Sequence, residues 1–297
     1  MRTGAAGLRA DGALSRVDHG PLVRPTRPIP STSVRASPMR RLHIEVPVTR
    51  AGAMARLTAW LALLVTLLAV VLVRDQRAEA GPALVALSTG PLLALAAVVL
   101  AGFALLRVWR EGAQGLGGAI AGLVVASLVL AYPAFAAIRG LRLPALTDVS
   151  TDTDNPPAFS RSRAAFAARA GRYPPDPGAT VRARQRAAYP QVAPLTLDIG
   201  ADEAFELARK AAVNSKWQIV EAIRPGGRVG NGRIEAVARG LVLNLADDVT
   251  VRVRPRADGA RIDVRSASRI GPRDLGANAD RIRAYLDEVT KLAIAVK

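Results

Sequence analysis

The residues best suited to binding or catalysis are concentrated near the C-terminus, in residues 262–289. This stretch reads IDVRSASRIGPRDLGANADRIRAYLDEV, and its polar side chains are Arg265, Ser266, Ser268, Arg269, Arg273, Asp274, Asn278 and Arg281. Guanidinium groups form paired hydrogen bonds with phosphate or carboxylate, and serine hydroxyls and the N–H groups of a helix start add donors. The pattern therefore predicts an anion site around Arg265, Arg269 and Arg273.

An internal role for the same arginines stays open. The chain carries carboxylates that could bind them, at Asp152, Asp154, Asp247 and Asp248. In that case the arginines would hold an extended segment on the sheet and would have no ligand. A third interpretation is enzymatic, with Asp247 or Asp248 as the base of a hydrolase or transferase beside the arginines.

The composition disfavours most other catalytic chemistry. Cysteine is absent, and both histidines, His19 and His43, lie near the N-terminus, away from the polar stretch. A serine nucleophile would therefore have no histidine beside it, and the usual zinc ligands are missing. The Asp152–Asn155 sequence lacks the glycine and distal glutamate of an EF-hand-like calcium loop. We expect no catalytic residue, no metal site and no cofactor, and an enzyme is the less favoured interpretation.

The net charge of +17 comes almost entirely from arginine, since the chain has only four lysines. An excess of arginine and alanine is typical of GC-rich bacterial genomes. The C-terminal half also lacks the interleaved aromatic residues on which single-stranded nucleic acids stack. We therefore expect no nucleic-acid partner.

Three apolar runs without a charged residue occupy residues 57–73, 82–106 and 115–138. A helix needs about 20 residues to cross the hydrocarbon core. A membrane domain over residues 54–140 is predicted, with helices near 55–73, 82–106 and 115–138 and the lipid bilayer as a partner. Residues 1–53 are predicted to be a disordered basic arm, unless translation starts at Met39 or Met54.

The arginines before the first run place that end in the cytoplasm by the positive-inside rule. Three spans then put the C-terminal domain on the periplasmic side of a bacterial inner membrane. A rival interpretation is a signal peptide cleaved near Ala78-Glu79-Ala80. Two spans would then remain, and the domain would still face outward.

The rest of the chain predicts an α+β fold. Prolines and arginines in residues 141–193 indicate an extended segment with at most one short helix, at 162–170. Residues 194–297 follow the order β-α-β-β-β-β-α, which predicts an antiparallel sheet of about five strands covered on one face by two helices. An Asp258-Gly259 turn would place Val249, Val251, Val253, Ile262 and Val264 on one buried face and Arg252 opposite Arg265.

Three motifs carry a resemblance to a known family. They are TDTDNPPAF at residues 151–159, the Asp247-Asp248 pair, and DVRSASRIGPRDLGANADRIR at residues 263–283. Together they resemble the domain-of-unknown-function family DUF1499 of bacteria and plastids, over residues 146–292, as a membrane-anchored bacterial member. The resemblance implies a shared domain but no established activity, catalytic residue or cofactor. The combined prediction is a membrane-anchored envelope protein whose outward domain binds an anionic small molecule, a lipid headgroup or an envelope protein.

Overall fold

The computed structural model describes residues 49–75, 80–226 and 230–296. The predicted basic arm lies outside the described residues up to residue 48, as do residues 78 and 79 of the rival cleavage site.

Three long helices form the N-terminal part: α1 Arg50–Arg74, α2 Ala80–Glu111 and α3 Leu116–Arg142. By length and composition each is able to cross a membrane. Pro91 lies inside α2 and Pro133 inside α3, which membrane helices tolerate. The three predicted apolar helices are confirmed.

Small residues pack these helices closely. A Cβ atom on Gly122 of α3 would lie 2.8 Å from the carbonyl carbon of Ala55 on α1, and one on Gly52 would lie 2.5 Å from the Gly115 carbonyl oxygen. Leucines such as Leu64 point outward and are exposed. Small residues inside and large apolar residues outside are the usual pattern of helices that pack in a bilayer.

The C-terminal domain is an antiparallel sheet with helices. Its elements in chain order are β1 Asp148–Ser150, α4 Arg163–Ala168, α5 Ala179–Ala188, β2 Leu195–Leu197, α6 Ala201–Asn214, β3 Gln218–Ile223, β4 Gly232–Arg239, β5 Ala246–Arg256, β6 Gly259–Ser268 and α7 Ala277–Val296. The strand order is β1-β6-β5-β4-β3, and β2 also pairs with β6. The predicted α+β fold and the order β-α-β-β-β-β-α from β2 onward are confirmed, and β1 adds a sixth strand.

Helices α6 and α7 cover one face of this sheet, which we call the helix face. Val249, Val251, Val253, Ile262 and Val264 are fully buried there, as the alternation predicted. On the helices the buried side chains include Phe205, Ile282 and Tyr285, and the ring of Tyr285 stacks on Trp217 at 4.5 Å. Two amphipathic helices on one alternating sheet account for this core.

Residues 151–177, which we call the covering segment, contact the opposite face. Its buried side chains include Phe159 and Arg169. The prediction of at most one helix between residues 141 and 193 was wrong, because α5 forms in the proline-free stretch between Pro177 and Pro190. Gln185 of α5 is buried and exchanges hydrogen bonds with the backbone of Ser150 on β1, which fixes the helix against the sheet edge.

The predicted register of the β5–β6 hairpin was wrong by two residues. Arg252 lies opposite Asp263, and Arg265 lies opposite Thr250. Gly259 belongs to the strand and not to the turn, because β2 passes so close that a Cβ atom there would lie 2.1 Å from the Leu197 carbonyl oxygen. An even shift keeps the buried face but changes every cross-strand neighbour.

Candidate functional site

The polar residues of the C-terminal motif are divided between the two faces of the sheet. Successive side chains of a strand point to opposite faces. Ser266 and Ser268 of β6 therefore face α7, whereas Arg265 and Arg269 face the covering segment. The predicted trio Arg265, Arg269 and Arg273 does not converge on one point.

Arg265 is buried and has an acidic partner in β1. Its Nη2 donates to a carboxylate oxygen of Asp148 at 2.6 Å and to the Pro175 carbonyl at 2.7 Å. Its guanidinium lies 4.9 Å from the ring centroid of Phe159. Burial raises the pKa of Asp148 above its ordinary value, although the ion pair opposes that shift. These contacts join the covering segment to the sheet.

Arg269 binds Asp248 on the same face. Its Nη2 lies 2.7 Å from the carboxylate and also donates to the Ala168 carbonyl at 2.9 Å. Burial raises the pKa of Asp248, and Arg269 opposes the shift. A cavity of about 320 Å³ beside this pair has Asp148, Asp248 and Arg172 in its wall. Arg269 and Asp248, which the sequence suggested as possible partners, therefore form an ion pair.

A larger charge cluster lies toward the hairpin turn. Three arginines, Arg252, Arg254 and Arg261, surround the carboxylates of Asp152 and Asp263 at distances of 2.8 to 3.3 Å. Partial burial works against ionisation of Asp152, but the Asn155 N–H, Arg261 and Arg252 hold its pKa below the ordinary value. The predicted partner Asp154 is exposed and binds Arg186 at 3.0 Å.

On the helix face the motif residues form a closed hydrogen-bond network. Ser266 Oγ donates to Asn278 Oδ1 at 2.7 Å, and Asn278 Nδ2 donates to Ser268 Oγ at 2.9 Å. Arg281 donates to the same Asn278 oxygen at 2.6 Å and forms an ion pair with Asp247. The network fixes α7 to the ends of β5 and β6.

Asp274 lies just before α7 and caps its first turn. Its carboxylate accepts hydrogen bonds from the N–H groups of Gly276 at 2.9 Å and Asn278 at 3.0 Å. Burial raises its pKa, and those N–H donors act in the other direction. Gly276 has φ +82°, and a Cβ atom there would lie 2.9 Å from Arg139 Nη2. The glycine allows the end of α3 to approach the start of α7.

A partly open cavity of about 800 Å³ lies between α3, the β4–β5 loop (residues 240–245) and α7. Of the predicted polar residues it is lined by Ser268, Arg273, Asp274, Arg281 and Asp247. Arg139, Arg239 and Asp280 are polar lining residues that the sequence did not single out, and most of the remaining wall is apolar. Arg239 ends β4 before an apolar loop and Arg139 lies in the last turn of α3, so neither belongs to a recognisable motif.

The arginines of this cavity differ in their partners. Arg139 binds Asp280 at 2.8 Å, and Arg281 binds Asp247. Partial burial disfavours the charged form of Asp280, but Arg139 and Arg283 hold its pKa below the ordinary value. Arg239 donates to the Asn244 carbonyl, and Arg273 donates to the Gly140 carbonyl. Within residues 49–75, 80–226 and 230–296, neither Arg239 nor Arg273 has a carboxylate partner.

In the described part of the chain, no group of three His, Cys, Asp or Glu side chains is placed to hold a metal ion. Residues 148–289 match the family described as protein of unknown function, DUF1499. No curated protein and no solved structure matches the chain. The matched residues run from the start of β1 to Val289 in α7. They therefore include the whole sheet, the ion pairs with the covering segment and the hydrogen-bond network on the helix face. The C-terminal domain of this chain belongs to the DUF1499 family.

Proposed function

We propose that the protein is a membrane-anchored binding module whose C-terminal domain holds an anionic ligand in the 800 Å³ cavity. The observation that carries the proposal is the pair Arg239 and Arg273, two guanidinium groups in the cavity wall without a carboxylate partner among the described residues. Ligand cavities commonly measure about 300–1,000 Å³ and combine apolar walls with a few polar groups.

The charge of the cavity favours an anion. Its wall contains four arginines, Arg139, Arg239, Arg273 and Arg281, against three aspartates. Each aspartate is already engaged, Asp247 and Asp280 by arginines and Asp274 by the N–H groups of α7. A phosphate or carboxylate would give Arg239 and Arg273 the anionic partner that they lack.

The proposal places the domain on the periplasmic side of a bacterial inner membrane. Support comes from Arg50 and Arg56 at the start of α1 and from Arg107 and Arg110 near the α2–α3 connection, which the positive-inside rule assigns to the cytoplasm. Alkaline phosphatase fused after Leu292 should be active, and the same reporter fused after Gly112 should be inactive. An inactive fusion after Leu292 would contradict this orientation.

The enzymatic alternative, a hydrolase or transferase with Asp247 or Asp248 as the base, keeps one supporting observation, since Asp247 lines the cavity. Its carboxylate is bound by Arg281, however, and Asp248 lies on the other face of the sheet. Binding therefore explains the arrangement better than catalysis does.

Native mass spectrometry of the full chain, purified in mild detergent from its own host, tests the proposal. We expect an anionic ligand to remain bound, and the double variant Arg239→Gln/Arg273→Gln to lose it. Arg224→Gln is the matched control, because Arg224 is exposed, lies outside the cavity and binds Glu206. Equal retention in the double variant, or no ligand in the parent chain, would overturn the proposal.

A further inference from the structure

One wall of the cavity belongs to a membrane helix. Tyr132 and Arg139 of α3 both line the cavity. Their separation of seven positions corresponds to about 10 Å along an α-helix. Arg139 forms its ion pair with Asp280 of the domain, which places this part of α3 at the polar boundary of the bilayer. Tyr132 then lies deeper, so the cavity continues toward the hydrocarbon of the membrane.

The β4–β5 loop forms a second wall and is strongly apolar. Its sequence is Gly-Leu-Val-Leu-Asn-Leu, and the Leu241 side chain is 93% exposed. Arg74, the last residue of α1, donates to the carbonyls of Leu241 at 2.5 Å and Val242 at 2.9 Å. Asn244 Nδ2 donates back to the Arg74 carbonyl at 3.0 Å. The loop is therefore held where α1 leaves the membrane, and its exposed leucine gains free energy by entering the bilayer.

The cavity wall contains both charged and apolar groups. Arg239 directly precedes the loop, and Arg273 donates to the Gly140 carbonyl near the end of α3. Leu243, Leu245 and Ile270 supply apolar parts of the same wall. A small soluble anion would use the arginines but would leave that apolar wall in contact with water. A molecule with an anionic headgroup and a hydrocarbon chain satisfies both.

We infer that the ligand is a phospholipid with an anionic headgroup, which moves sideways from the bilayer into the cavity past the β4–β5 loop. The inference rests on the proposed function, because it names the ligand class of the same cavity. Arg239 and Arg273 bind the headgroup, while the loop and Ile270 contact the acyl chain. Leu241 keeps the open side of the cavity in contact with the leaflet.

Trp217 provides the measurement, because it lines the cavity and is one of three tryptophans in the chain. In a Trp60→Phe/Trp109→Phe background, nanodiscs containing phosphatidylglycerol with brominated chains should quench Trp217 fluorescence. Ala284→Phe fills the cavity from an exposed position and should abolish the quenching. Ala295→Phe is an exposed control on the same helix outside the cavity and should not change the quenching.

A separate variant, Leu241→Asp, tests whether the lipid enters past the β4–β5 loop. Leu241→Asp should weaken quenching without changing thermal unfolding, because the side chain is 93% exposed. Ile294→Asp, at an exposed position of α7 away from the loop, is the matched control. Quenching of Leu241→Asp equal to that of the parent would overturn the role of the loop.

Binding of three ligands, phosphatidylglycerol, phosphatidylcholine and inorganic phosphate, distinguishes lipid binding from anion binding alone. Brominated phosphatidylglycerol should quench more strongly than brominated phosphatidylcholine, and Arg239→Gln/Arg273→Gln should remove the difference. If calorimetry detects binding of inorganic phosphate while neither lipid quenches Trp217, the lipid inference is wrong and anion binding stands. If neither phosphate nor lipid binds, both fail.

Discussion

Asp247 and Asp248 are adjacent in sequence but bind arginines on opposite faces of the sheet. Arg281 of α7 pairs with Asp247 on the helix face, and Arg269 pairs with Asp248 at 2.7 Å on the face of the covering segment. The alternation of side chains along β5 produces this division. One dipeptide therefore attaches both the last helix and the covering segment to the same strand.

Asp247→Asn and Asp248→Asn should consequently have different effects. Asp248→Asn leaves Arg269 without its carboxylate, so hydrogen exchange should rise in residues 151–177. Asp247→Asn should leave that segment protected. It also removes a negative charge from the cavity wall while Asn278 still holds Arg281, so anion retention in native mass spectrometry should increase. Equal exposure of residues 151–177 in both variants would contradict the two-face arrangement.

The sequence predicted which side chains of β5 and β6 face the core, but it did not predict how the two strands pair. Val249, Val251 and Val253 alternate, and alternation alone assigns their side chains to the core. The register depends on Gly259, whose role is to admit β2, and β2 is distant in sequence. A turn signal read locally cannot reveal that contact.

The sequence likewise predicted some residues of the candidate site and missed others. The sequence identified Arg269 and Asp248 as candidates because the guanidinium groups of the motif can bind carboxylates of the same domain. It did not identify Asp148 as the partner of Arg265, because β1 joins the sheet edge without a recognisable strand pattern. The cavity arginines Arg139 and Arg239 were missed because their proximity arises only when α3 meets the domain.

Asp148→Asn should strongly destabilise the C-terminal domain. Arg265 is buried, and removing the charge of its partner leaves a guanidinium with only carbonyl groups and the Phe159 ring around it. Breaking a buried ion pair from one side costs about 3–5 kcal/mol. Urea unfolding followed by Trp217 fluorescence, with Trp60 and Trp109 replaced by phenylalanine, measures the change.

The control for that experiment is Asp154→Asn. Asp154 is 90% exposed and binds Arg186, which is itself half exposed. An exposed ion pair contributes about 0–1 kcal/mol, so unfolding should hardly change. A similar loss of stability in both variants would mean that burial of Arg265 does not determine the effect.

Gly122→Leu should separate α1 from α3. The new side chain would begin 2.8 Å from the Ala55 carbonyl carbon, and backbone atoms cannot move aside as a flexible side chain can. Gly102→Leu is the matched control in α2, because no atom lies within 4 Å of its added Cβ. Thermal aggregation in detergent should begin at a lower temperature for Gly122→Leu only. If Gly102→Leu aggregates equally early, close packing at Gly122 is not the cause.

Glu235 should make the stability of the domain depend on pH. It is buried on the face of the covering segment, where it accepts the Ser160 N–H at 2.7 Å and pairs with Arg169 at 3.1 Å. Burial raises its pKa from 4.5 to about 7, although these two partners oppose the shift. Because the folded pKa is the higher one, its contribution to stability is complete below about pH 4.5 and is lost as the pH rises to about 7. A shift of this size corresponds to on the order of 3 kcal/mol.

Glu235→Gln removes the titration and should flatten the fall in unfolding free energy between pH 4.5 and 7, measured through Trp217. Glu221→Gln is the control, because the pKa of Glu221 is shifted in the opposite direction. Partial burial works against ionisation of Glu221, but the Ser160 and Ser162 hydroxyls and Arg233 hold its pKa below the ordinary value. The contribution of Glu221 is therefore lost as the pH falls, and its removal should leave the change between pH 4.5 and 7 in place. The same pH profile in Glu235→Gln as in the parent chain would show that the buried carboxyl does not titrate in this range.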